Sequence, residues 1–294
     1  MISFVRALPH LRERIGGAVF ERVAGPTGPA NRARIHQTPG PRWFGPERPV
    51  RRVHGDASMF IGGLRALLLQ SLHPLAMAAV DAHSGFRGDP WGRLQRTSTF
   101  LAVTTYGTAE HAQEAVERVR EVHSRVRGTT AAHESYEASD PRLLGWVHAA
   151  EVDSFLDAHQ RFGAEPLDAD GCDGYVADMA KVGEALGVTD PPGNRRELDE
   201  RLAAYRGELR STREARAAAR FILFHPPLPW IARVPYAVLA LNAVVSLPDW
   251  AQDALGLRRL PGPVRACVPP TGHALTAAIR WAMTPRTPVP TRAG

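Results

Sequence analysis

The chain has 294 residues, 44% of them hydrophobic and 22% charged, with 36 Lys+Arg against 30 Asp+Glu and a formal net charge of +6. That balance belongs to a globular chain with a substantial core and excludes collagenous, disulfide-scaffold and wholly disordered classes. Lys181 is the one lysine among the basic residues, a bias that GC-rich coding accounts for, and the arginines are scattered rather than clustered with aromatics, which argues against nucleic acid.

Residues 1 to about 25 read as an amphipathic helix, too broken by Pro9 and by charges for a signal peptide. Residues 26–55, rich in Pro, Gly and Arg, read as an extended lead-in without helical periodicity. From Met59 to Ala82 the pattern turns helical through Ile61, Leu64, Leu68, Leu72, Leu75 and Val80, with a kink or restart at Pro74. Residues 85–92 read as a loop.

Arg93 to Tyr106 resumes a helical run, which Gly107 ends. Thr108 then caps a helix with Glu110 in its first turn, running to about Arg127 and stopped by Gly128. Asp140 and Pro141 supply the N-cap and first position of another helix, with Leu144, Val147, His148, Glu151 and Phe155 on one stripe. A helical pattern of charge and Ala spans Arg195 to Ala219. Val234 to Leu247 is apolar but short for a membrane span, and reads as a buried helix or an in-plane segment. Residues 285–294 read as frayed. No strand alternation is sustained and no internal repeat is present, so the fold class is all-α.

Histidine is where the chemistry concentrates. His123 sits mid-helix on an apolar stripe, with Arg120 three residues before it and Arg127 four after, so the three share a face. A nitrogen base between two guanidinium groups suits a haem, with iron on the imidazole and propionates on the arginines; a satisfied core histidine beside a solvated helix edge has the same spacing. Arg93, Arg96 and Thr97 surround one turn at a helix start, where backbone N–H groups favour anions; surface arginines with a back-bonded threonine look the same. His73 and His83 are ten apart across Pro74 and could be a metal pair or serve a helix end and a loop. His148 and Glu151, at i, i+3, could belong to a carboxylate-rich di-iron site, but such a site needs a further E-x-x-H, and the chain has none. Otherwise they are a buried polar contact. Cys172 and Cys267 are isolated, so neither a disulfide framework nor a thiol nucleophile is indicated. No GxGxxG, P-loop, GxSxG or HExxH motif is present.

The stretches LLLQSLHPLAMAAVDAHSGFRGDPWGRLQRTSTF and DPRLLGWVHAAEVDSFLDAHQRFG, with the His123 helix between them, resemble the MpaB-type oxygenase family, relatives of the latex-clearing rubber oxygenases. The resemblance divides the chain into 1–44, an N-terminal helix and lead-in; 45–260, the catalytic domain; and 261–294, a C-terminal extension. It implies a globin-like helical core around haem b, flanked by additional N- and C-terminal helices. His123 matches the family's proximal iron ligand, with Arg120 and Arg127 beside it. Arg93, Arg96 and Thr97 match a distal Arg-x-x-Lys-Thr turn, in which Arg96 replaces the lysine. Gly128 stands where the rubber enzymes carry a histidine. His73 and His83 join the candidate cofactor-binding set, and His148 and Glu151 an internal polar relay. The implied reaction uses O₂ and a small apolar, terpenoid or prenylated, substrate, with oxidative cleavage of a C=C bond. A non-haem metal oxidoreductase and a non-catalytic haem- or lipid-binding protein are the alternatives. The expected location is cytoplasmic without a transmembrane span, with peripheral membrane contact through the C-terminal apolar stretch.

Overall fold

The computed structural model describes residues 2–83, 88–130 and 132–284. Helices α1 (Ile2–Ala24), α2 (Gly28–Gln37), α3 (Pro49–His54), α4 (Met59–Gln70) and α5 (Pro74–His83) come first. Next are α6 (Pro90–Tyr106) and α7 (Ala109–Arg125), then a hairpin of β1 (Arg127–Thr129) and β2 (Ser135–Glu137). Helices α8 (Pro141–Phe162), α9 (Ala169–Leu186), α10 (Arg195–Tyr205), α11 (Arg213–Phe224) and α12 (Trp230–Ser246) follow. The chain closes with α13 (Asp249–Ala254), α14 (Gly262–Ala266) and α15 (Val268–Met283). The fold is all-α, with one antiparallel hairpin pairing Arg127 with Glu137, Gly128 with Tyr136 and Thr129 with Ser135.

The centre is α8, buried along most of its length, with α4 packed across it. Its start follows from two residues: the Asp140 carboxylate accepts from the Arg142 N–H at 2.8 Å, and Pro141 fills a position whose N–H would have no partner. One apolar cluster joins α8 to α3 and α9 through Val152, Phe155, Val53, Tyr175 and Met179. A second joins it to α4, α10 and α13 through Trp146, Leu68, Leu72, Tyr205 and Ala251. Between α4 and α8 the buried Arg65 guanidinium holds Asp153 and Ser154, each at 2.7 Å. Helix α1 packs against both α6 and α15.

Several boundaries differ from the sequence reading. The 26–55 segment is not extended throughout. It holds α2 and α3, each begun by a proline at its first or second position and anchored by buried Ile35, Val50 and Val53. Helix α6 starts at Pro90, three residues early, because Asp89 caps it at 2.8 Å from the Gly92 N–H. Helix α7 ends at Arg125, and Gly128 lies in β1 rather than in a cap; a Cβ there would come within 2.5 Å of the Tyr136 hydroxyl. The run from Arg195 to Ala219 is two helices. Between them the chain turns aside, the Arg210 N–H donating to the Leu72 carbonyl at 2.9 Å and Glu208 pairing with Arg142. The restart at Pro74 is present, α4 and α5 bending by 109°. Of the loop expected at 85–92, residues 85–87 lie outside the described residues and Pro90 to Gly92 are instead the first residues of α6; the fraying expected at 285–294 lies wholly outside the described residues.

Candidate functional site

Helices α6 and α7 form one wall. On the first turns of α6, Arg93 is half-buried while Arg96 and Thr97 are exposed. Arg96 bonds Asp89 at 3.3 Å. Desolvation and then the charge of Arg96 lower the pKa of the Arg93 guanidinium, so two cations are held close together. In α7 the first half is anchored by buried Ala112 and Val116. Its second half keeps Val119, His123 and Val126 only half-covered, and Val122 is 53% exposed. Helix α7 packs mainly on α6 and α9, and only marginally on the central α8 among the described residues.

His123 forms no side-chain hydrogen bond among the described residues, and burial lowers its pKa below 6.5. Its imidazole is therefore neutral at pH 7 and keeps a nitrogen lone pair free. Arg120 reaches the Ala185 carbonyl at 3.2 Å, tying α7 to the end of α9. Arg127 does not share the helix face of His123, as the spacing had implied. The helix ends two residues earlier, and Arg127 stands exposed in β1.

Beyond α9, on which α7 packs, lies a largely buried polar set on α8, α9, α3 and the far end of α6. The His148 ring packs so closely on α9 that a Cβ at Gly183 would sit 2.9 Å from its Cε1. Its buried Nε2 has no hydrogen-bond partner among the described residues. Burial and, less, the charge of Arg201 push its pKa down to about 4. One turn on, burial pushes the Glu151 carboxyl up to about 7. His54 of α3 lies 2.8 Å from Thr105 Oγ1 through Nδ1 and 3.3 Å from the Tyr175 hydroxyl through Nε2. Its ring meets Phe155 edge-on at 5.6 Å, and burial lowers its pKa to about 3. The Tyr175 hydroxyl is pushed well up by burial, then by the charges of Glu151 and Asp178. A polar line thus runs from Thr105 through His54 and Tyr175 toward Glu151. Of these four, sequence reasoning found Glu151 alone. His54 lay in a segment read as extended, Tyr175 stands on α9, for which no periodicity was read, and the two are 121 residues apart.

His73 and His83 do not come together. His73 is buried between Trp146 and Tyr205, its Nε2 3.6 Å from Glu208. His83 is exposed at the far end of α5, 3.3 Å from the Tyr136 hydroxyl. Among the described residues no three His, Cys, Asp or Glu side chains form a metal-binding group. On another side of α8 a cavity of about 410 Å³ is lined by Arg65, Asp153, Arg195, Asp199 and Asp249. Its charges satisfy one another, Arg195 with Asp199 at 2.9 Å and Arg265 with Asp249 at 3.2 Å.

The family described as ER-bound oxygenase mpaB/B′/rubber oxygenase, catalytic domain, matches residues 51–281. The chain belongs to that family. The match takes in α4 to α9 and with them both walls of the site, so the chain carries an oxygenase-family catalytic domain. Two uncharacterised proteins, from Mycobacterium tuberculosis and Mycobacterium bovis, are each 32% identical to it over 146 residues. Those residues are 49% of this chain and 57% of each relative, so the chain spans little more than half the length of the curated proteins it matches. No solved structure gives a significant match. Among the described residues no single helix is long and apolar enough to cross a membrane.

Proposed function

We propose that this oxygenase-family chain uses haem b and O₂ to oxidise a small apolar substrate carrying a C=C bond, of terpenoid or prenylated type. The observation that carries the reading is His123: a neutral imidazole without a hydrogen bond among the described residues, on the half-covered second half of α7. A histidine facing apolar surroundings ordinarily satisfies its ring or binds something. The residues present fit a haem. His123 would hold the iron, and Arg120 on its helix face, with Arg93 of α6, would supply cations for the propionates, a role the place of Arg127 in β1 does not favour.

When bound, the haem would supply O₂ activation for oxidative cleavage of the double bond. The protein's own part is binding, orientation and proton handling. Arg96 is a donor only, since a guanidinium does not release its proton at working pH, so it would hydrogen-bond an anion or a polar ligand rather than replace a lysine as an iron ligand. Thr97 adds a hydroxyl one residue on. Glu151, with its carboxyl pushed up to about 7, is divided between acid and carboxylate near neutrality and can hold or release a proton at its carboxyl oxygens. His148 stays neutral and, with Gly183 beneath it, keeps one ring orientation. Leu94 and Val122, both exposed apolar residues on α6 and α7, offer surface for an apolar substrate.

The test is oxygen uptake by haem-supplied protein presented with isoprenoid alkenes. The reading expects O₂ consumption with formation of carbonyl products, and loss of both in His123→Ala. Haem binding without consumption on any alkene would make the chain a non-catalytic haem protein.

A further inference from the structure

Helix α12 wears its apolar surface on the outside. Trp230, Val234, Ala237 and Leu241, spaced four, three and four apart, are all exposed, with Trp230 at 80%, Val234 at 72% and Leu241 at 40%. Ile231 and the neighbouring Phe224 are each 69% exposed. The opposite side, with Leu239, Ala240 and Ala243, is buried. A helix of a water-bathed surface has polar residues on its outer stripe; here the one charge in the helix is Arg233.

The patch continues onto neighbouring elements. Helix α15 runs back along α12, since Asn242 bonds Thr271 at 3.2 Å while Leu239 clusters with Leu275 and Ile279. That direction brings Trp281 and Met283, also exposed, toward the Trp230 end. Arg12 of α1 stands over the Trp281 ring at 5.6 Å. Tyr236 ties α12 to the end of α11 through the Ile222 carbonyl at 2.6 Å, and α11 carries exposed Arg216 and Arg220. From residue 213 to 233 there are four arginines and one glutamate.

We infer that the outer face of α12, with Phe224 and Trp281, docks in the plane of an anionic lipid bilayer. Exposed aromatics at the level of the headgroups with arginines around them are the features of an interfacial helix, and 17 residues are too few to span. A second copy of the chain fits less well, because a two-fold contact would bring the same arginines face to face. The surface also adjoins the candidate site. The Trp91 indole, two residues before Arg93, donates to the Pro227 carbonyl at 3.3 Å in the loop leading into α12. A bilayer-dissolved substrate would therefore enter beside α6; this delivery role rests on the proposed oxygenase reading, whereas the docking does not.

The experiment is co-sedimentation of the full chain with vesicles of phosphatidylcholine containing about one-third phosphatidylglycerol, and with phosphatidylcholine alone. The expected result is binding to the anionic vesicles that weakens with salt and with neutral lipid. Trp230→Glu combined with Val234→Glu should lower the partition by about tenfold or more, with the helical circular dichroism and melting temperature unchanged. A chain left in the supernatant at low salt overturns the inference, as does a double variant that sediments like the wild type. So does a wild-type dimer, seen by sedimentation equilibrium, that the double variant dissociates. The assay needs neither haem nor turnover, so a chain that docks without taking up haem fails the oxygenase reading alone.

Discussion

Glu151 and His148, one helical turn apart, respond oppositely to burial, which disfavours the charged form of each. Glu151 is pushed up to about 7 and His148 down to about 4. For Glu151 the folded value lies above the unfolded one, so the folded protein keeps a proton that the unfolded chain releases. The resulting stability is present below about pH 4.5 and lost as pH rises through about 7, a change on the order of 3 kcal/mol. Glu151→Gln should therefore melt close to the wild type at pH 4.5 and several degrees above it at pH 8. Equal differences at the two pH values would show that the carboxyl is not desolvated. Gly183→Ala tests the packing of His148. The added methyl meets the ring and should cost about 1–3 kcal/mol in denaturant unfolding; a neutral result would mean that the ring moves aside freely.

At the scale of elements, the strongest polar tie between α4 and α8 is the buried pair of Arg65 and Asp153. Removing Asp153 leaves the buried Arg65 with only the longer pair to Asp157 at 3.6 Å, so Asp153→Ala should destabilise by about 3 kcal/mol, read from the denaturation midpoint. Caps were the most legible feature of the sequence: Thr108 and Asp140 each bond the first turn of the helix they were expected to start. Asp140→Ala should cost about 1 kcal/mol, checked by the same unfolding experiment. What escaped notice depended on tertiary contacts. Helices α2 and α3 are short and lie in polar, proline-rich sequence, so no periodicity marks them. The break between α10 and α11 has no proline; it follows from Arg210 docking on Leu72 and Glu208 on Arg142. Helix α9 carries Gly171, Gly174 and Gly183, which weaken its helical signal although Asp168 caps it.

Across the whole molecule, the all-α class and the oxygenase family were legible because long helices repeat their apolar positions and the motifs around Arg93, His123 and His148 are local. The arrangement of the site was less so. The contact of His54 with Tyr175 joins residues far apart in the chain, and the place of Arg127 beyond the end of α7 depends on a hairpin whose strands are three residues each. The two walls of the site meet through α9, the hairpin and the contact of α3 with α6 rather than by packing α7 on α8, and the second half of α7 is half-covered, with His123 lacking a ring partner among the described residues. The claim that this face receives a haem is tested most directly by the absorption spectrum of wild type and His123→Ala, each produced with haem supply. The account predicts a strong Soret band in the wild type that the substitution abolishes. A band that survives the substitution, or no band in the wild type after reconstitution, would contradict it.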